Sequence, residues 1–125
     1  MDWTAADMIS MYSRAQAISD GVLVDVTPMA KEVGVRFPVA VTQGLWAEIV
    51  PNESDEKLHG QSTQGRLWDV LWLFRQNALR TKASLMSYTV LMVENGKHKT
   101  VTVKGLVHPG DDNEPVITLM LPHED

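Results

Sequence analysis

The spacing of apolar residues changes at Leu85. Downstream, apolar positions alternate with polar or smaller ones through LMSYTVLMV (Leu85–Val93), TVTVKGLV (Thr100–Val107) and VITLML (Val116–Leu121). A period of two places successive side chains on opposite faces of an extended chain, so these segments are predicted strands. Glu94-Asn95-Gly96-Lys97 separates the first two. Asn-Gly accepts the positive φ angles of a primed turn, which predicts a tight hairpin. His108–Pro115 forms the second link. Two short links favour a meander whose strands pair antiparallel in chain order.

Upstream the period is longer. In RLWDVLWLFRQNALR, Leu67, Leu71, Phe74 and Ala78 recur at intervals of 4, 3 and 4. That spacing gathers them on one face of a helix predicted over Arg66–Thr81. Trp68 and Trp72 lie beside the face and widen it, which leaves Arg66, Asp69, Arg75 and Gln76 for solvent. The first half is more broken. A short apolar stretch, Met8–Tyr12, precedes Ser13 and Gln16, whose spacing is that of a capping box, and Gly21 ends the helix they open. VLVDV (Val22–Val26) is a strand-type run. Thr27-Pro28 opens a helix that Gly34 closes, since Thr offers an oxygen to an orphan amide and Pro has no amide to lose. Phe37–Val41 reads as extended, and Thr42 caps a helix that runs through Val50 and stops at Pro51. PNESDEKLHGQSTQG (Pro51–Gly65) is polar and reads as a loop, either a solvated connector or a binding loop.

The predicted fold is therefore α+β: a three-stranded antiparallel C-terminal meander packed on a Trp-rich central helix, with short N-terminal helices covering an edge or the remaining apolar surface. A chain of 125 residues is near the size of one domain, and dividing it would leave two marginal cores, so residues 1–125 read as a single domain. Hydrophobic residues make up 44% of the chain, which excludes a disordered class. Cysteine is absent, which removes disulfides, thiolate nucleophiles and Cys-based metal sites. The opening MDWTAADMIS lacks a basic n-region and a continuous apolar core. No apolar run approaches about 18 residues, so a membrane-spanning helix is excluded. The expected location is the cytoplasm. The net charge of -5 resides in residues 1–60, where nine acids face four Lys and Arg. Direct nucleic-acid binding needs a basic face, so the balance points instead to a basic protein partner.

Candidate chemistry concentrates at VHPGDDNEP. Asp111, Asp112, Asn113 and Glu114 are too bunched for a calcium loop, whose oxygens spread over about 12 positions. They read as a turn, whose short polar side chains bond back to the backbone, or as a weak cation or acidic patch. His108 beside Asp111 or Asp112 would give an acid-base pair, since imidazole exchanges protons near neutral pH. His59, His98, His108 and His123 form no metal-binding pair on one helix, and neither a metal nor another cofactor is expected. GQSTQG (Gly60–Gly65) lacks the Lys of a phosphate loop. Arg80 and Lys82, with Arg75, could contact phosphate, although basic residues at a helix C-terminus already complement its dipole.

Three segments together resemble a known family: YSRAQAISDGVLVDVTPMAKEVGVRFPVAVTQGLW (Tyr12–Trp46), GRLWDVLWLFR (Gly65–Arg75) and GDDNEPVITLMLPHED (Gly110–Asp125). The chain resembles an uncharacterised family of small bacterial, phage and plasmid proteins, a domain of unknown function. That resemblance implies a mobile-element setting and a role in host takeover or defence evasion. It implies no reaction and transfers no active-site residue. The expected function is a non-catalytic interaction module acting on a host or defence protein. The alternative is a small hydrolase or transferase built on His108 with Asp111 or Asp112. The expected contact surface joins Glu53, Asp55 and Glu56, as acidic steering groups, to Trp68 as an aromatic anchor. Against it stands the simpler arrangement of a buried Trp68 and three solvated acids.

Overall fold

Local sequence accounts for most of the elements in the computed structural model, which describes residues 12–124. The apolar stretch read at Met8–Tyr12 lies outside them up to Met11. Helix α1 (Arg14–Ser19) opens with the predicted capping box, Ser13 and Gln16 each satisfying the other's backbone amide. Strand β1 (Leu23–Asp25) follows, then α2 (Thr27–Glu32), β2 (Val39–Thr42) and α3 (Gln43–Ile49), which Thr42 caps through Leu45 N. Thr27 is not the cap expected of it. Val26 holds that position, and the Thr27 hydroxyl donates to Asp25 Oδ1 at 2.5 Å and accepts from Val39 N at 3.1 Å. It thereby ties the start of α2 to both neighbouring strands.

The segment read as a loop, Pro51–Gly65, is mostly helical. Helix α4 spans Glu53–Leu58, and α5 runs from Thr63 to Thr81. Asn52 caps α4 by accepting from Asp55 N at 2.7 Å, and Ser62 caps α5 through Gly65 N at 2.9 Å. Glu53, Asp55 and Glu56 occupy the first turn of α4, where negative charge complements the helix dipole. Composition concealed this helix because its polar residues stabilise a short helix from the outside.

Three strands complete the chain: β3 (Leu85–Glu94), β4 (Lys97–Pro109) and β5 (Pro115–Met120). Asn95 (φ 52°) and Gly96 (φ 74°) make the predicted primed turn between β3 and β4. The expected three-stranded sheet is, however, incorrect. One five-stranded mixed sheet runs in the order β1-β2-β5-β4-β3, with β2 parallel to β5 and the other neighbours antiparallel. VITLML held the signal. In β5, Val116 to Met120 are all buried, as befits a central strand covered on both faces, and such a strand needs a neighbour on each side. That neighbour is β2, whose four residues are also buried.

Helices α2, α3 and α5 pack on one face of the sheet. Val39, Val41, Ile117, Leu119, Val103 and Val90 there meet Ala30, Leu45, Ile49, Val70, Leu71 and Phe74. Gly105 lets Phe74 approach, since a Cβ would stand 2.9 Å from its ring. Phe74 also meets Tyr88 at 6.4 Å between ring centroids, and the Tyr88 hydroxyl donates to Val70 O at 2.8 Å. The tryptophans do not form the packing face of α5 as expected. Trp68 is 40% and Trp72 43% exposed, because Val70 and Phe74 fill the space over the sheet and turn both indoles outward. Arg66, assigned to solvent, is instead buried and donates to Gln61 Oε1, Glu48 O and Val93 O. Among the described residues no helix is long and apolar enough to cross a membrane.

Candidate functional site

The second face of the sheet is only partly covered. Alternation along β5 points Val116, Thr118 and Met120 away from the helical core, and on that side α1 packs against β1 with Ala17 on its buried side. Between α1, the β4–β5 turn and the start of α3 an open cleft of about 970 Å³ remains, lined by Arg14, Thr42, His108, Asp111, Thr118 and Glu124 among others.

Thr118 is its centre. Arg14 Nη1 donates to Thr118 Oγ1 at 2.7 Å, and Arg14 Nη2 donates to Ile117 O at 2.6 Å. His108 Nε2 lies 2.7 Å from the same hydroxyl, with Nδ1 3.0 Å from Pro109 O. A carbonyl can only accept, so in the neutral ring Nδ1 carries the proton and Nε2 accepts from Thr118. The chain of donors runs from Arg14 to Thr118 to His108. Asp111 anchors the same N-terminal end of α1: its Oδ1 accepts from Arg14 N at 2.8 Å and its Oδ2 from Ala15 N at 3.1 Å. The two amides hold the Asp111 carboxyl below its ordinary pKa against the smaller effect of burial.

This geometry separates the residues grouped by sequence proximity. Among the described residues no hydrogen bond joins His108 to Asp111 or Asp112; Asp111 grips α1, and Asp112 contributes its backbone amide to Glu114 Oε2 at 2.9 Å. The Asp111–Glu114 segment is a turn, with Asn113 at φ 64° and Gly110 N donating to Glu114 O. His59, His98 and His123 are exposed and do not join the cleft. Among the described residues no group of three His, Asp or Glu side chains is placed to hold a metal ion. Arg75 stacks over Trp72, 5.8 Å from the ring centroid, rather than joining Arg80 and Lys82.

The acidic contact surface also divides. Glu53 and Glu56 are exposed on α4, whereas Asp55 is fully buried and cannot steer a partner. Its carboxylate accepts from Asn95 N at 2.8 Å and Gly96 N at 3.1 Å, across the hairpin turn. Burial alone would raise its pKa, but the two amides together with the charges of His59 and Arg66 leave it below the ordinary value.

Sequence reasoning missed Arg14, Thr118 and Glu124, and it placed Thr42 only as a cap, whereas the Thr42 hydroxyl also donates to Glu124 Oε1 at 2.8 Å. A signal existed for Arg14. A basic residue in the first turn of a helix opposes the dipole, a local conflict that marks a tertiary role.

The match of this sequence to a family model extends over residues 1–125. The chain belongs to DUF6573, a family of unknown function. No curated protein and no solved structure matches it. Membership in the family therefore attaches no reaction to the cleft.

Proposed function

We propose that the protein is a cytoplasmic, non-catalytic interaction module of a mobile genetic element, acting on a host or defence protein. The exposed ridge of α5 carries this reading. Trp68, Trp72 and Leu79 are 40%, 43% and 61% exposed and succeed one another along the outward side of the helix. Large aromatic groups left in water are costly to a fold this small and are the side chains that dominate protein contacts. Arg75 over Trp72 adds a cation to the ridge, and Glu53 and Glu56 supply exposed acids for a partner with a basic rim. The mobile-element setting rests on the family resemblance alone.

The test compares the wild type with Trp68→Ala/Trp72→Ala as bait in extracts of suitable hosts, followed by direct binding of whatever only the wild type retains. The double variant should stay folded and bind about 100-fold more weakly. Equal retention by a folded double variant, or no partner in any host, would refute the reading.

A second reading, a small hydrolase or transferase, draws on the 2.7 Å contact of His108 with Thr118, since a hydroxyl bonded to an imidazole can pass it a proton. Thr118 is only 7% exposed and already receives Arg14, which favours a brace. Retention of every detectable activity by folded His108→Ala would exclude this alternative.

A further inference from the structure

Strand β3 is one edge of the sheet and ten residues long, whereas the opposite edge, β1, has three. Near its end, Val93 N donates to Gln61 Oε1 at 3.4 Å and Val93 O accepts from Arg66. The amide and carbonyl of one strand residue point the same way, and successive residues alternate. The main-chain groups of Leu85, Ser87, Thr89 and Leu91 therefore point outward like those of Val93, while Met86, Tyr88, Val90 and Met92 pair with β4. Among the described residues the outward groups from Leu85 to Leu91 have no backbone partner. Long edges are normally blunted by charge, proline or a bulge. Leu85–Val93 contains no charged residue and no proline, and its register with β4 is continuous. Leu85 and Leu91, 56% and 60% exposed, stand at the two ends of the open segment.

We propose that two copies of this chain associate by antiparallel pairing of β3 with β3, about a two-fold axis at Tyr88. Val93, capped by Gln61 and Arg66, ends the open edge at Leu91, and the midpoint of Leu85–Leu91 is Tyr88. A two-fold axis there is the one that uses the whole open edge. It sets Leu85 against Leu91 of the partner subunit and Ser87 against Thr89 of the partner subunit, apolar on apolar and hydroxyl on hydroxyl. Charge agrees with this arrangement. Asp69 shares a cleft with Leu91 and Val93 at one end of β3, while Arg80 and Lys82 end α5 just before β3 begins. The two-fold axis brings Asp69 of each copy toward the end of the other that carries Arg80 and Lys82. Trp68 lines the same cleft as Leu91, so the interface adjoins the tryptophan ridge, but its backbone pairing does not depend on that ridge having a partner.

The test is sedimentation over a concentration series with the full chain and two variants. Thr89→Pro deletes an outward amide without touching the β3–β4 ladder, and Leu91→Lys places a charge on the edge. The wild type should dimerise, and each folded variant should associate about tenfold more weakly or worse. Register is read by oxidative cross-linking, because the chain has no cysteine of its own. A mixture of Leu85→Cys and Leu91→Cys proteins should cross-link, whereas either alone should not, its thiols lying about 20 Å apart in the dimer. A monomeric wild type at every concentration, a dimer untouched in the folded variants, or cross-linking by one cysteine variant alone would overturn the proposal. If Thr89→Pro does not fold, Leu91→Lys decides.

Discussion

Glu53–Glu56 and Asp111–Glu114 are two acidic clusters that use their carboxylates in parallel ways. Each gives one aspartate to two consecutive backbone amides far away in sequence: Asp55 to Asn95 and Gly96, Asp111 to Arg14 and Ala15. They differ in their surroundings. Asp55 is fully buried, and Asp111 is exposed. Loss of the buried carboxylate removes bonds made inside the fold and leaves a void where Asp55 stood, whereas water can take over where the other is lost. An acidic run in sequence thus mixes an aspartate that clamps distant backbone with carboxylates that stay local or solvated, and only the fold identifies which.

The largest effect should come from Asp55→Ala. Its Tm should fall by about 10 °C, with faster hydrogen exchange at Asn95 and Gly96. Asp111→Ala should lower the Tm by only about 3 °C and loosen α1, seen as faster exchange at Arg14 and Ala15. Equal losses in the two variants would break the comparison. Acid stability sharpens it further. Both carboxyls titrate below the ordinary 3.8 in the folded protein. Their contribution is therefore fully present above that value and disappears as pH falls through the folded pKa values. Denaturant titrations should show stability dropping below about pH 4, with a shallower drop in Asp55→Asn than in the wild type. The smallest effect belongs to Glu53→Gln/Glu56→Gln. The Glu53–Lys57 pair is exposed on both sides, so the Tm should move by about 1 °C or less, while salt dependence of partner binding weakens.

Periodicity and capping made much of the fold legible. Ser13, Thr42, the Asn95-Gly96 turn and the face carrying Leu67, Leu71 and Phe74 are all where local rules put them. Long-range pairing was not legible: β2 joins β5 with Ala40 opposite Thr118, 78 positions away, and no local pattern in Phe37–Val41 names its partner. Helix α4 was hidden because a short helix held by Asn52 and first-turn acids has the composition of a loop. At the cleft, His108 and Asp111 were visible as chemistry-bearing residues. Their partners were not, since Arg14 and Thr118 stand 104 positions apart. The tryptophans were visible as large apolar groups, yet their direction depends on how Val70 and Phe74 fill the sheet face.

The most direct measurement of the clamps is an NMR pH titration that follows the Asp55 and Asp111 carboxyls together with the amides they bind. Both carboxyls should titrate below 3.8. The Asn95 and Gly96 amide shifts should move with Asp55, and those of Arg14 and Ala15 with Asp111. A carboxyl midpoint at or above the ordinary value, or amides indifferent to it, would contradict the assignment of these two aspartates as backbone clamps.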